Sequence, residues 1–417
     1  MDIKICICGK HMARGYSGGR YHAWILGEAL SAAGACVTLW TTSYPQYAND
    51  FIDYPGHDRI RCQIDAGFFH PPSGHFDWVL VVPDRGTPID IYERWLCLAK
   101  RSDARVALLN FESPNWFNCA SGTPVDPRSW SGWTLVSRYC DVIVSSAEES
   151  TRFAQEFYRK VPQGCEFLSC PPAINSCIAD GVHIEEKRDQ ICVITRLGGS
   201  NFAHKGGYDL IEAIGPEIEG YELVFLVGIS TVQEDILSAL TKRANQTGVR
   251  LRFLEGADDR EKFLEIKRSR CMLFLSRFEG FGYPPVEALY SGTPCIVFDL
   301  PVLREISGEG LIYVVPGDYS RLRSEIQRVL DDTTPDRDKL RSYVAHVAPF
   351  ESLIDRLSTI FRPSCQTPPI RHLKLNIRLK CRWAMFFRLF RRRMSPVRRI
   401  AIRLLKSFRL NVKCNQL

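Results

Sequence analysis

Two glutamates, Glu279 and Glu287, are separated by seven residues in the string Phe278-Glu279-Gly280-Phe281-Gly282-Tyr283-Pro284-Pro285-Val286-Glu287-Ala288-Leu289-Tyr290-Ser291-Gly292-Thr293-Pro294. An ionised carboxylate can accept two hydroxyl donors. Gly280 and Gly282 leave a turn that a ligand can approach closely. Pro284 and Pro285 sit where a helix can start, and the unsatisfied N–H groups of such a start, those of Phe281, Gly282 and Tyr283, favour an anion. Upstream, Thr195-Arg196-Leu197 is followed after a short loop by Lys205-Gly206. Fixed cations of this kind stabilise negative charge that develops on a leaving group. Each pair alone reads as solvated surface charge; both in one order read as a single site.

The 279–294 string resembles the retaining glycosyltransferases of family 4, whose Glu-x7-Glu element is written much like EGFGLPPLEAMACGTP. The resemblance implies Glu279 on the donor sugar and Glu287 on the nucleotide ribose. The family pattern Gly-Arg-Leu, then Lys-Gly, then a helix is also met, with Thr195 in place of the Gly and a slightly long loop from Gly198 to His204. It implies Arg196 and Lys205 on the diphosphate. A third element, Ser17-Gly18-Gly19-Arg20, falls between a first strand and a first helix, where the family brings a Gly-Gly backbone close to the donor. Many members place a histidine near the sugar from the first domain. Here that stretch reads Asn110-Phe111-Glu112-Ser113-Pro114-Asn115-Trp116, with Glu112 as the candidate substitute and no histidine. His22 and His204 are the nearest alternatives, and both read as incidental.

The expected site residues are therefore Arg196, Lys205, Glu279 and Glu112 for the chemistry, with Gly18, Gly19, Phe281, Gly282, Tyr283 and Glu287 for donor binding. The resemblance implies transfer from a nucleotide-diphosphate sugar to a glycan or lipid-linked acceptor, with retention and no protein nucleophile. No cofactor is expected beyond the donor substrate, and no metal. Asp50/Asp53 and Asp331/Asp332 read as loop acids rather than a strand-end cation site. The competing reading is a catalytically silent nucleotide-sugar-binding or scaffold protein, to which the missing histidine points. An epimerase or phosphorylase of the same fold is a third reading, the latter lacking a recognisable pyridoxal lysine motif.

These residues need elements to hold them. Continuous apolar runs at Ile3–Cys8, Cys36–Trp40, Trp78–Val82, Arg105–Leu109 and Val142–Ser145 alternate with helical stretches such as Tyr21–Ala33. A second series follows at Ile191–Thr195, Leu223–Val227, Leu251–Leu254, Cys271–Leu275 and Cys295–Phe298. Such runs predict strands buried on both faces, hence parallel sheets flanked by helices. The fold class is α/β, with two doubly wound domains facing across a cleft, the GT-B arrangement that the resemblance implies. Ligands in such sheets sit at the carboxyl ends of strands. The expected divisions are 1–172 for the acceptor-side domain, 173–343 for the donor domain, 344–362 for a helix crossing back, and 363–417 for a tail. The 16 cysteines show no CxxC or zinc-ligand spacing and read as reduced, small hydrophobes. With no signal-peptide pattern at the N-terminus, this reads as a cytoplasmic setting.

The charge is split. Of 54 Lys plus Arg, 16 lie in 361–417, which has no Asp or Glu; positions 1–360 carry 38 basic and 47 acidic residues, a net of −9. Ser395-Pro396 reads as a helix start, after which Val397, Ile400, Ala401, Leu404, Leu405 and Phe408 recur at helical spacing opposite Arg398, Arg399, Arg403, Lys406 and Arg409, with Ile402 and Leu410 as exceptions. A basic amphipathic tail over 371–410 is expected to hold the protein peripherally on an anionic membrane; nucleic acid is the less favoured partner. Truncation after Arg362 is expected to abolish cosedimentation with anionic liposomes without changing the circular dichroism of the body. Unchanged sedimentation would reject the anchor.

Overall fold

A computed structural model describes residues 3–13, 17–120, 124–198, 203–228, 234–332 and 335–361. The whole of the expected tail lies outside these residues. Two parallel sheets form the frame. The first has the order β3 (Arg61–Ile64), β2 (Cys36–Thr41), β1 (Lys4–Cys8), β4 (Trp78–Val81), β5 (Arg105–Asn110), β6 (Val142–Ser145) and β7 (Glu166–Ser169). The second has the order β10 (Arg250–Glu255), β9 (Glu222–Val227), β8 (Gln190–Thr195), β11 (Cys271–Phe274), β12 (Cys295–Phe298) and β13 (Ile312–Val314). Every strand pairing is parallel, and the chain order reverses between β1 and β4 and again between β8 and β11. Those two switch points are where a doubly wound sheet opens a crevice.

Every expected strand is present. Three more, β3, β7 and β13, were not anticipated. All lie at sheet edges, and most of their residues are only partly buried; β3 and β7 lack the continuous apolar run that marks a strand covered on both faces, whereas β13 lies within the apolar run from Leu311 to Val315 and was overlooked. The first helix also starts earlier than its apolar spacing indicates. It spans Gly18–Ala32, capped by the Ser17 hydroxyl accepting from Arg20 N–H, so Gly18 and Gly19 are its first turn and not a preceding loop.

The last strand of the first sheet ends at Ser169 and β8 opens at Gln190. Between them, the helix Ser176–Gly181 packs on Asp259–Arg268 of the second domain. The returning helix begins at Phe350, with Pro349 at its N-cap, rather than at Val344; the residue before a proline disfavours helix. It packs along Gly18–Ala32, its Phe350 ring 4.4 Å from that of Tyr54, while Phe361 lies 5.1 Å from Trp78. Across the domains, Ser146 Oγ donates to Gly280 O at 2.5 Å, and Glu305 accepts from the N–H groups of Glu148 and Glu149, capping Glu148–Phe157. None of the described helices is long and apolar enough to cross a membrane.

The first helix buries a carboxyl group. Glu28 is inaccessible to solvent, bonded at 2.7 Å to His57 Nδ1, and its Oε2 has no partner. Burial raises its pKa to about 7, and the His57 hydrogen bond only partly offsets this. The folded state thus holds this proton more tightly than the unfolded chain does, so the contribution is fully present at low pH and is lost as pH rises through about 7. Glu28→Gln is expected to flatten the fall in Tm between pH 5 and pH 8; an unchanged slope by differential scanning fluorimetry would refute this.

Candidate active site

The carboxyl end of β8 delivers Thr195 and Arg196. Thr195, which departs from the Gly-Arg-Leu pattern, has a role of its own: its hydroxyl donates to Lys205 O at 3.1 Å and ties the far side of the loop to the strand end. Two further contacts pin the loop. Arg277 N–H donates to His204 O at 2.8 Å, and the Arg277 guanidinium holds Asp209 through two hydrogen bonds of 2.9 and 2.6 Å. Gly206 is left-handed, with φ of +75°, and a Cβ there would lie 1.9 Å from Leu275 O. Only glycine lets the Lys205 turn press against the end of β11.

The Glu279 segment leaves β11 and enters the helix Tyr283–Tyr290, whose N-cap is Gly282 with φ of +89°. Here too glycine is required by space: a Cβ on Gly280 would lie 2.8 Å from Phe111 O, and one on Gly282 would lie 2.5 Å from Leu303 Cδ2. The loop therefore sits directly on the first domain. Glu279 points back to Lys205, Oε1 to Nζ 2.5 Å. Eight residues on, Glu287 is buried, 1% exposed, with Oε1 2.6 Å from Lys262 Nζ. Burial raises its pKa and the lysine opposes that rise.

Two lobes of one cleft meet at Gly18, Arg196, Lys205, Glu279 and Tyr283. One lobe, about 360 Å³, is lined by Glu287, Lys262, Asp259, Asp50, Gly228 and Gly256, and lies in the size range of small-molecule sites. The other, about 270 Å³, contains Gly19, Phe281, Glu112, Arg85, His204 and His22. All ten expected site residues thus line the cleft except Gly282, which caps the helix behind it. Glu112 is paired to Arg85 at 2.9 Å, and the Arg85 guanidinium lies over the Phe117 and Trp130 rings at 4.6 and 5.1 Å. Burial raises the Glu112 pKa, while Arg85 and Lys205 pull it back.

Several residues that read as incidental belong to this cleft. His22 and His204 both line the smaller lobe, and burial lowers each to about 3, so both rings are neutral at pH 7. Asp50 is no solvated loop acid: burial and then Asp259 raise it to about 7, and it lines the larger lobe. Lys262, Asp259 and Arg85 escaped sequence reasoning altogether. Lys262 and Asp259 sit in the highly charged helix Asp259–Arg268, where charges ordinarily face water. The only signal for Arg85 is its position just past an apolar strand.

Residues 182–347 match the family model described as glycosyl transferases group 1. The match spans less than half of the chain, and this segment is similar to the group 1 glycosyltransferases. It is 26% identical over 170 residues to the O-antigen chain mannosyltransferase RfbU of Salmonella typhimurium, which covers 40% of this chain and 45% of that one. The chain therefore spans less than half the length of this curated relative. In structure it resembles sucrose-phosphate synthase from Thermosynechococcus elongatus, with a TM-score of 0.64, 16% identity, and 86% and 98% of the two chains covered. It also resembles HepE of Anabaena in complex with UDP-glucose, with a TM-score of 0.63, 12% identity, and 86% and 99% covered. The chain has the GT-B fold. Gly206→Ala is expected to cost more than about 1 kcal/mol of stability, because the added Cβ meets backbone in a left-handed turn. A melting temperature equal to that of the parent would contradict the close approach.

Proposed function

We propose that the protein is a retaining hexosyltransferase that moves a sugar from a nucleotide-diphosphate donor to a glycan or lipid-linked acceptor in cell-surface polysaccharide or glycolipid synthesis. The observation that carries this reading is the Lys205–Glu279 pair, with Arg196 beside it, at the junction of the two lobes. The larger lobe takes the nucleoside, with Glu287 toward the ribose. The diphosphate lies at the junction, between Arg196, Lys205 and the backbone N–H groups of Phe281 and Tyr283. The sugar extends into the smaller lobe, where Glu279, Glu112 and the Gly18-Gly19 turn face it. Mannose is the first sugar to test, since RfbU is named a mannosyltransferase.

In the reaction the bond from the anomeric carbon to the β-phosphate oxygen breaks and the acceptor oxygen bonds to that carbon from the same face. The acceptor proton passes to the leaving phosphate oxygen. Arg196 and Lys205 act where the negative charge grows, which lowers the barrier more than it tightens the ground state. On this reading the two cations supply the charge that a metal supplies elsewhere. Glu279 holds sugar hydroxyls and also fixes the Lys205 ammonium, which keeps further donors for the phosphate. The protein works at the cytoplasmic membrane face through its 371–410 tail.

Full-length protein should be stabilised by one of UDP, GDP or ADP, by about 2.7 kcal/mol at 100 times its Kd. Lys205→Ala and Glu279→Gln are each expected to lower transfer from a radiolabelled nucleotide-sugar by about 100-fold or more, with folding retained. Full activity in both variants would rule out this site. Donor binding with neither transfer nor hydrolysis by the parent would favour the silent scaffold instead.

A further inference from the structure

Glu287 does not stand alone in its lobe. Lys262 Nζ lies 2.6 Å from Glu287 Oε1 and 2.6 Å from Asp259 Oδ1, so one ammonium bridges two carboxylates. The second oxygen of Asp259 faces the other domain. Asp259 Oδ2 accepts from the Tyr21 hydroxyl at 2.7 Å and from Asn175 Nδ2 at 3.0 Å. Tyr21 belongs to the first helix of the N-terminal domain, and Asn175 lies in the segment joining the two domains. Asn175 also donates to Asp50 O at 2.9 Å and accepts from the Tyr54 hydroxyl at 2.7 Å, both N-terminal-domain partners. A continuous chain of hydrogen bonds therefore runs from the first domain, through Asp259 and Lys262, to the carboxylate in the donor lobe.

The geometry points to Asp259 and Lys262 as positioning residues that couple docking of the N-terminal domain, through the Tyr21 hydroxyl, to the orientation of Glu287. This rests on the reading above that Glu287 meets the donor ribose. Lys262 has more than one carboxylate to serve. When Tyr21 and Asn175 occupy Asp259 Oδ2, Asp259 is held in place, and the ammonium is fixed between it and Glu287. When the domains part, Asp259 loses its Tyr21 partner, and the ammonium and Glu287 are free to shift. The donor lobe is then organised for the ribose only while the domains are docked. Burial opposes the charge on Lys262, yet the two carboxylates hold its pKa above the ordinary lysine range, so the bridge stays cationic.

Tyr21→Phe removes the one hydroxyl and keeps the ring, which packs on Tyr283 at 5.4 Å and on Tyr47 at 5.6 Å. The test is a double-mutant cycle in the full-length protein, with the Kd for the nucleoside diphosphate that binds the parent, chosen from UDP, GDP and ADP, read by calorimetry. Tyr21→Phe is expected to weaken binding threefold to tenfold, and to have little further effect in a Glu287→Gln background. Equal affinity of Tyr21→Phe and the parent, or losses from Tyr21→Phe and Glu287→Gln that simply multiply, would overturn the coupling, since a merely structural tyrosine lowers Tm without depending on Glu287. Lys262→Arg, which keeps the charge, should retain more affinity than Lys262→Met; equal losses with both variants folded would also overturn it. Failure of the parent to bind any of the three diphosphates would instead remove the donor-site reading on which the coupling stands.

Discussion

A lysine cut off from water keeps its charge only if carboxylates replace the water, and Lys262 sits at the centre of such an exchange. Its ammonium lies within 2.6 Å of Asp259 and of Glu287. Removing one partner of a buried pair leaves an uncompensated charge and costs about 3–5 kcal/mol. The site is therefore constrained from below. Glu287 can be nearly inaccessible because Lys262 is there, Lys262 because Asp259 is there, and Asp259 because Tyr21 and Asn175 donate to it. The cleft is thus built from both domains even at the residues usually counted as belonging to one.

The Lys205–Glu279 pair obeys a different rule. Both side chains are partly exposed, 22% and 13%, so water shares in their solvation and their mutual attraction is weaker than that of the buried bridge. Such a pair can be rearranged by a ligand at modest cost. What fixes it is backbone. Thr195, Arg277 and the left-handed Gly206 hold the lysine loop, and Gly280 lies against Phe111 O. One carboxylate is held by buried charge and the other by tight turns, so one end of the cleft is rigid and the other adjustable.

Much of this was legible in the sequence, for stated physical reasons. Strands buried on both faces announce themselves as apolar runs, so β1, β4, β5, β8 and β11, whose carboxyl ends build the cleft, were all found. The edge strands β3 and β7 were not, because polar residues dilute their runs; β13 was missed although Leu311 to Val315 is continuously apolar. Glu279, Glu287, Arg196 and Lys205 were legible because glycine and proline spacing around them is dictated by close backbone approach, and spacing survives in a linear string. Lys262, Asp259 and Asp50 were not legible. Their environment is made by residues some 200 positions away, such as Tyr21 against Asp259, and nothing local distinguishes a buried lysine in a charged helix from an exposed one.

The histidines show the same limit from the other side. A search along 110–116 finds none, and the first domain alone offers only Glu112 at that place. The fold brings His204 into the smaller lobe from the second domain, and His22 from the first helix, each uncharged near pH 7 because burial penalises the protonated ring. Their neutrality follows from their surroundings. Arg85, Lys205 and Arg196 lie around His204, so a further positive charge there would be repelled as well as desolvated. A neutral imidazole among cations adds no positive charge to theirs and leaves the charge of the nearby carboxylates uncancelled. The absence of a histidine at one point of the sequence therefore does not leave the lobe without imidazole groups; the relevant residues reach it from elsewhere in the fold.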